Sequence, residues 1–503
     1  GPFAGAKPGG NGSRAIMGGD RFPRRFEVSV SDSKTVPTMG APDASDAVYD
    51  ARTLGAPKMT VFGIQHMFAM FGATILVPTL TGLSVSATLL FAGLGTLLFH
   101  FLAKGKVPAF LGSSFAFIAG YAAIAPSGEA HLLPYACLGV ACAGLLYLVV
   151  SALFKAFGPQ RIMRFFPPVV TGPIVICIGL ILASSAIANC ETNWPIALVA
   201  IIIIVISNIW GRGMIRIIPI LLGVVGSYLA AAIGGIVDFT PVVEAPWIGL
   251  PVLWDNTVFA LFGPNFDAGL AITAIITIMP LAFATIIEHI GDMSAISSTC
   301  NRNFIAEPGL HRTLLGDGLA TIVASLFGAP ANTTYGENTG VLALTRVFDP
   351  RVVRIAAGFA ILLSFCPKFA AVISCMPACV IGGVSLVLYG MISAVGIRNL
   401  VENHVDFMLS RNVLITALIL VLSLGIAYSA AGAITFEVGG VTVALSGLAV
   451  GSVVGIVLNN ILPGKADFDA WDGGLAAEAE ADDVPLPLEA EVTNLPIREQ
   501  RRG

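Results

Sequence analysis

The chain has 503 residues, of which 56% are hydrophobic and only 12% charged, with a net charge of −4. A soluble domain carries about 25% charged residues, so this composition excludes a globule solvated by water on all sides and selects the bilayer as solvent. The absence of a basic stripe argues against nucleic acid as a partner.

Residues 1–58 are polar and rich in Gly, Pro and Ser. They hold no apolar h-region, so a disordered cytoplasmic segment without a cleavable signal peptide is expected. Gly1-Pro2 reads as a protease-cleavage scar. A membrane span needs about 20 apolar residues. Candidates follow near 60–79, 86–103, 109–125, 132–154, 168–188, 195–210, 217–236, 270–291, 314–327, 332–345, 352–374, 377–396, 412–431 and 441–462. That predicts fourteen spans. Stretches 109–125 and 332–345 are short and full of Gly, Ser, Thr and Asn. Residues 464–503 carry ten acids and four bases and predict a disordered acidic cytoplasmic tail. The eight cysteines form no CxxC pair and lie mostly in apolar runs, where they read as small buried hydrophobes.

Charge orients the spans. Between residues 59 and 464 there are fifteen Lys and Arg. With a cytoplasmic N-terminus, connections after even-numbered spans lie inside. They hold Lys104, Lys106, Lys155, Arg161, Arg164, Arg212, Arg216, Arg302, Arg312, Arg346, Arg351, Arg354, Arg398 and Arg411, fourteen of the fifteen. Only Lys368 falls elsewhere. One miscounted span would reverse every later loop, so this bias predicts a multi-pass plasma-membrane protein with both termini cytoplasmic. The outer loop 237–269 carries Asp238, Glu244, Asp255 and Asp267 and no base. Its Trp247 and Trp254 fit the interface and the loop's own core equally well.

A repeat runs through the chain. Gln65-His66 precedes Gly112-Ser113-Ser114-Phe115, and Glu288-His289 precedes Asn332-Thr333-Thr334-Tyr335. The two copies are offset by 223 residues at the histidines and 220 at the aromatics. Seven spans per half invert the second copy, which predicts a seven-plus-seven inverted repeat with an alternating-access transporter's midplane site. Pro108 and Gly112 interrupt one short stretch, and Gly328 and Pro330 precede the other, so both are expected to be broken. Backbone left unpaired at that depth must face protein or a cavity. The bland alternative is tight packing of small residues between helices.

Glu288, Asp292 and Glu337 are acids inside predicted spans, where a charge costs about 2.5–3.5 kcal/mol on insertion scales. Glu288 and Asp292 are four apart and share a helix face, and their mutual repulsion favours one of them holding a proton. A carboxylate only accepts hydrogen bonds, whereas a protonated carboxyl also donates. Protonation therefore couples to affinity for a planar ligand whose edge alternates N–H and C=O, as uracil's does. Phe115 and Tyr335 offer flat apolar faces. His66 and His289 are either proton carriers or hydrogen-bonded struts. His100 reads as structural, and Asp317 as an N-terminal cap of the ninth span. No hydrolase, zinc or ATP-binding motif is present, so neither an enzyme nor a cofactor or metal is expected.

At these residues the chain resembles the nucleobase/ascorbate transporter family and its uracil permease branch, over residues 58–463. The resemblance is carried by "NTTYGENTGVLALTR" (Asn332 to Arg346), with Glu337-Asn338-Thr339-Gly340 through Thr345-Arg346 as its signature, and by "QHMFAMFGATILVP", "PAFLGSSFAFI", "IIEHIGD" and "GGVSLVLYG". It implies an all-α membrane protein with short strands in spans 3 and 10. The core domain would be 59–154 and 270–374, and the gate domain 168–236 and 377–462. It also implies that Glu288 and Glu337 bind the base, with Phe115, Tyr335, the Gly336 amide and Ala73 lining the site. Ser385 and Tyr389 would face it from the gate, and His66 would support it. Glu288, Asp292, Glu337 and His66 would serve proton coupling. Purine and ascorbate members usually have Gln where Glu337 stands, and some uracil permeases have His where Asp292 stands. The function implied is proton-coupled uracil import, with a homodimer through the gate domain. A xanthine or urate carrier, and an anion exchanger of the same fold, are the alternatives.

Overall fold

The computed structural model describes residues 47–263, 266–438 and 441–464. The N-terminal polar segment up to residue 46 and the acidic tail beyond 464 lie outside the described residues. The first half runs through α1 (Gly55–Thr81), α2 (Val85–Leu102), strand β1 (Leu111–Ser113), α3 (Ile118–Ile124), α4 (Leu133–Phe157), α5 (Pro168–Glu191), α6 (Trp194–Ile209) and α7 (Pro219–Ile233). The second runs through α8 (Ala268–Ile278), α9 (Ala282–Cys300), α10 (Leu310–Leu326), β2 (Asn332–Thr334), α11 (Glu337–Thr345), α12 (Pro350–Ser364), α13 (Pro367–Ser374), α14 (Ala378–Glu402), α15 (Ser410–Ala427), β3 (Ala433–Val438), β4 (Val441–Ser446) and α16 (Gly447–Ile461). Helix starts follow local chemistry. Ser84, Asn193, Asp267 and Ser446 each accept a backbone N–H three residues on, which satisfies a donor the helix leaves orphaned.

Among the described residues, seven helices are long and apolar enough to cross a membrane, or eight if the bent α12–α13 pair is one span. Helix overlies at least part of each stretch expected from the sequence, but several differ in extent: the eighth runs on to Cys300 and the twelfth to Glu402, past the expected 291 and 396. The eleventh stretch is broken, α12 and α13 meeting at 87°. The ninth helix starts at Leu310, before the expected 314. The thirteenth ends at Ala427. Most of 433–446 is a β-hairpin, so the final helix begins at Gly447 and not at 441.

Backbone approach at glycine organises the packing. On α5 and α14, a Cβ at Gly172 would lie 3.1 Å from the Gly396 carbonyl, and one at Gly396 would lie 2.6 Å from that of Gly172. On α4 and α10, Gly144 and Gly318 face each other's carbonyls in the same way. Further contacts join α2 with α12, α2 with α10, α1 with α12, α4 with α8, α6 with α7, and α15 with α16.

At one end of the bundle, residues 47–54 form a strap. Val48 pairs in parallel with Val347, its N–H donating to Arg346 O (2.8 Å) while Phe348 N donates to Val48 O (2.8 Å). The Tyr49 hydroxyl donates to Cys300 O at the end of α9 (2.9 Å), and Arg302 lies 4.2 Å over the Tyr49 ring. Arg351 joins Asp50 and Asp349, and Ala51 N donates to Asp349 (2.7 Å). Bonding to the Arg52 side chain and amide holds the Asp50 carboxyl down to about 2. At the opposite end, the loop after α7 docks on α13, where Lys368 donates to the Val242 and Val243 carbonyls closing a short helix, Thr240–Glu244. This explains the one base outside the charge pattern: it satisfies helix-end carbonyls. Trp247 lies under the Lys368 ammonium and Trp254 stacks on Phe259, and both indoles are largely exposed.

The strands β1 and β2 pair antiparallel, Leu111 opposite Thr334 and Gly112 opposite Thr333. The Tyr335 ring lies over Gly112, 2.4 Å from where a Cβ would stand. Gly112→Ala is therefore expected to destabilise the protein by about 1–3 kcal/mol through overpacking, read as a lowered Tm in detergent. An unchanged Tm would show that the ring has room to move.

Candidate functional site

The centre of the fold is the two-stranded ribbon. Three residues per strand leave most of its edge unpaired, and the neighbouring helices close that edge with hydroxyls. Thr96 of α2 accepts the Leu111 N–H (2.9 Å) and donates to Ala92 O (2.8 Å). Thr321 of α10 donates to Asn332 O (2.7 Å). The Asn332 amide donates to Phe91 O (2.5 Å), beside Gly95, where no side chain blocks it. Ser113 donates to Thr74 O (3.0 Å), the neighbour of fully buried Ala73 on α1. The Tyr335 hydroxyl donates to Ser113 O (2.8 Å). Tyr335 is thus buried and bonded across the ribbon, with one ring face spent on Gly112.

Each strand runs into a helix whose start lies inside the protein. Phe115 begins a 3-10 turn leading into α3, and its ring meets Tyr389 of α14 edge-on at 6.3 Å. The Tyr389 hydroxyl lies beside Ser385 and Ser185. Gly336 caps α11, and Glu337 is that helix's first residue. Across from it, an oxygen of Asp292 lies 3.2 Å from where a Gly336 Cβ would stand. Glu288 and Asp292 lie one turn apart on α9, and the fields of Glu337 and Asp317 reach both.

These three acids border an open space. Glu288, Asp292 and Glu337 are partly exposed, and Gly291, Gly336 and Gly340 are exposed. The open face continues toward the strap through Ala295 and Ser298 on α9 and Ala343 and Leu344 on α11. The first turns of α9 are closed: Ala282, Ala284, Ile286 and Ile287 are all at most 5% exposed. The site is therefore accessible from one end of the bundle.

The two histidines differ. His289 is a strut. Its Nδ1 faces the Asp317 carboxylate (2.8 Å), making Nδ1 the donor, and Nε2 lies 2.9 Å from the Thr313 hydroxyl. His66 receives Asn338 Nδ2 at both its Nδ1 and its carbonyl (3.1 Å each), tying α1 to α11. That leaves His66 Nε2 carrying the proton, buried and without a protein partner among the described residues, as is Ser114 Oγ nearby on β1's exit. His100 bonds to the Ala109 carbonyl (2.9 Å), as a structural residue would.

The reading of Asp317 as a helix cap is corrected. It lies in the second turn of α10, 0% exposed. Besides His289, it accepts the Thr334 N–H (3.1 Å) and the Thr334 hydroxyl (3.1 Å), and so anchors β2. Sequence reasoning started this helix four residues late because polar His311-Arg312 precede it. The cost of an acid inside an apolar helix was the available signal.

A model described as "Permease family" matches residues 57–432. The chain is 41% identical over 415 residues to "Uracil permease" of Bacillus subtilis strain 168, covering 80% of this chain and 92% of that protein. It is 40% identical over 430 residues to "Uracil permease" of Escherichia coli strain K12, covering 82% and 94%. The fold is similar to the transmembrane domain of a cyanobacterial bicarbonate transporter, BicA, with a TM-score of 0.52 at 15% identity over 82% of this chain and 99% of that one.

Removing the Asp317 carboxylate leaves three donors facing an apolar void. Asp317→Ala is expected to cost about 3–5 kcal/mol, as breaking a buried pair does, and Asp317→Asn less. Thermal unfolding in detergent measures both, and an Ala variant as stable as the parent would mean that β2 is held by other contacts.

Proposed function

The chain belongs to the permease family, and from that premise we propose that it imports uracil across the plasma membrane together with a proton, by alternating access. One observation carries this reading: Glu288, Asp292 and Glu337 converge on an open face beside broken helices in the apolar interior. Acids are retained there at a cost of several kcal/mol, and their switch between acceptor and donor links proton occupancy to ligand affinity. One proton moving down 100 mV supplies about 2.3 kcal/mol, enough for roughly fifty-fold accumulation. The relatives named uracil permeases, near 40% identical over most of their length, support uracil over xanthine or urate. The acids disfavour the anion exchange that the BicA-like fold alone would allow.

The proposed architecture is fourteen spans in a seven-plus-seven inverted repeat, with both termini cytoplasmic. The helix pairs support it. Contacts between α4 and α10, α1 and α12, and α6 and α7 have counterparts seven spans away in α2 with α12, α4 with α8, and α15 with α16. Gly172 and Gly396, which approach each other, lie 224 residues apart. Gly112, opposite Thr333 at the ribbon's centre, lies 221 residues before it. Helices α1–α4 and α8–α13 form the proposed core domain, and α5–α7 and α14–α16 the proposed gate. Glu288 and Glu337 pair with the base's edge, and Phe115, Tyr335, the Gly336 amide, Ala73, Ser385 and Tyr389 enclose it. Asp292 and His66 complete the proton path, and the gate carries the homodimer contact.

Labelled uracil uptake into proteoliposomes with an imposed pH gradient tests the core of this. Uptake is expected without sodium and to collapse with a protonophore. Glu288→Gln should lower it by at least ~10-fold, about 1.4 kcal/mol of lost coupling, with the protein still folded. Asp292→Asn should retain partial binding and flatten the pH profile of uptake. Wild-type uptake by Glu288→Gln, or xanthine entry indifferent to excess uracil, would reject the assignment.

A further inference from the structure

Among the described residues, side-chain hydrogen bonds cross between the proposed gate and core, and two of them come from hydroxyl groups. The Tyr228 hydroxyl of α7 donates to Val372 O of α13 (2.9 Å). The Thr277 hydroxyl of α8 donates to Ala444 O of β4 (2.8 Å). Both lie at the end opposite the strap: α13 carries the docked 237–263 loop, and α8 follows that loop directly. The hairpin strand β4 also packs on α8 and α3, whose inner residues Ile278 and Tyr121 are buried. Phe71 of α1 meets Phe369 of α13, the helix that carries Val372, at 5.4 Å. At the strap end the same helices leave α9 and α11 open to the site. The asymmetry is therefore built from specific bonds at one end and open space at the other.

We propose that Tyr228–Val372 and Thr277–Ala444 are paired clasps that close the outer entrance, and that the β3–β4 hairpin is the latch that parts from α8 and α3 when the site turns outward. This rests on the core-and-gate reading above. A rigid core sliding against the gate cannot keep a bond from α8 to β4 and one from α7 to α13 while exposing Phe115 and Glu337 to the outside. Each bond therefore biases the cycle toward the inward-open state without touching the cargo. Both acceptors are backbone carbonyls, so one substitution of the donor removes each clasp and leaves the partner strand's sequence intact.

The test has two arms. Cysteines at Thr277→Cys and Ala444→Cys, bridged by a short bis-thiol reagent, should reduce uracil uptake to below about a tenth, since opening becomes the forbidden step. Cleaving a reducible bridge should restore uptake to the level of the unbridged double variant, Ala444→Cys alone should carry uracil normally, and the bridged protein in detergent should bind uracil as the parent does. Bridged protein that transports at more than half the parent rate, or that loses binding along with uptake, overturns the latch. The second arm needs no cargo. In Tyr228→Phe/Thr277→Val, hydrogen exchange in 367–374 and 444–446 should quicken by about 2- to 12-fold per bond lost, with the strap unchanged. Unaltered exchange overturns the clasps. If the unbridged parent carries no uracil, the cargo reading fails while the exchange arm still decides the latch.

Discussion

Everything about this structure follows from one constraint: a peptide group inside a bilayer has no water to turn to. A two-stranded ribbon of three residues per strand is therefore an expensive thing to place at the heart of a helical bundle. It survives because side chains answer much of its edge. Thr96 and Thr321 reach in from the flanking helices, Asn332 reaches out to Phe91, and Asp317 holds the Thr334 amide. The glycines at 95 and 112 keep those approaches short. The polar residues that looked out of place in lipid are mostly the ribbon's own hydrogen-bonding shell.

What the ribbon gains is two helix starts in the interior. Phe115 and Glu337 lie two and three residues beyond the ends of their strands, so backbone N–H groups and a carboxyl are presented where lipid would forbid them. Asp292 sits against the cap of α11, and His66 is locked by Asn338. The site is thus assembled from side chains whose partners are backbone and amide groups, with the acids left facing the open space. A scaffold fixed by its own hydrogen bonds holds such a site in one geometry.

Much of this could be read from residue types, because lipid makes charge and periodicity unusually informative. The breaks near Gly112 and Pro330 announced themselves through small and polar residues, and the two polar motifs they flank meet as the paired strands of the ribbon. Lys368 looked anomalous only because carbonyls 125 residues away were invisible. Asp317 was misplaced for a similar reason: its partners, His289 and Thr334, are distant in sequence. The hairpin was hidden because the apolar stretch after 441 resembles a span. Its β-branched run, Val441-Thr442-Val443, was the contrary signal, and length alone did not weigh it.

The ribbon also has a consequence for how the protein is made. Its two strands come from opposite halves of the chain, so β1 enters the membrane long before its partner exists. At synthesis rates of about 5–20 residues per second, the 221 residues separating Gly112 from Thr333 take roughly 10–40 s to emerge. Through that interval the nascent first half holds an unmated strand edge in a solvent that cannot satisfy it. A provisional partner must shelter the edge until Asn332 arrives. Biogenesis is then a second reason for the strands to be so short: each added residue would be another orphaned amide kept waiting.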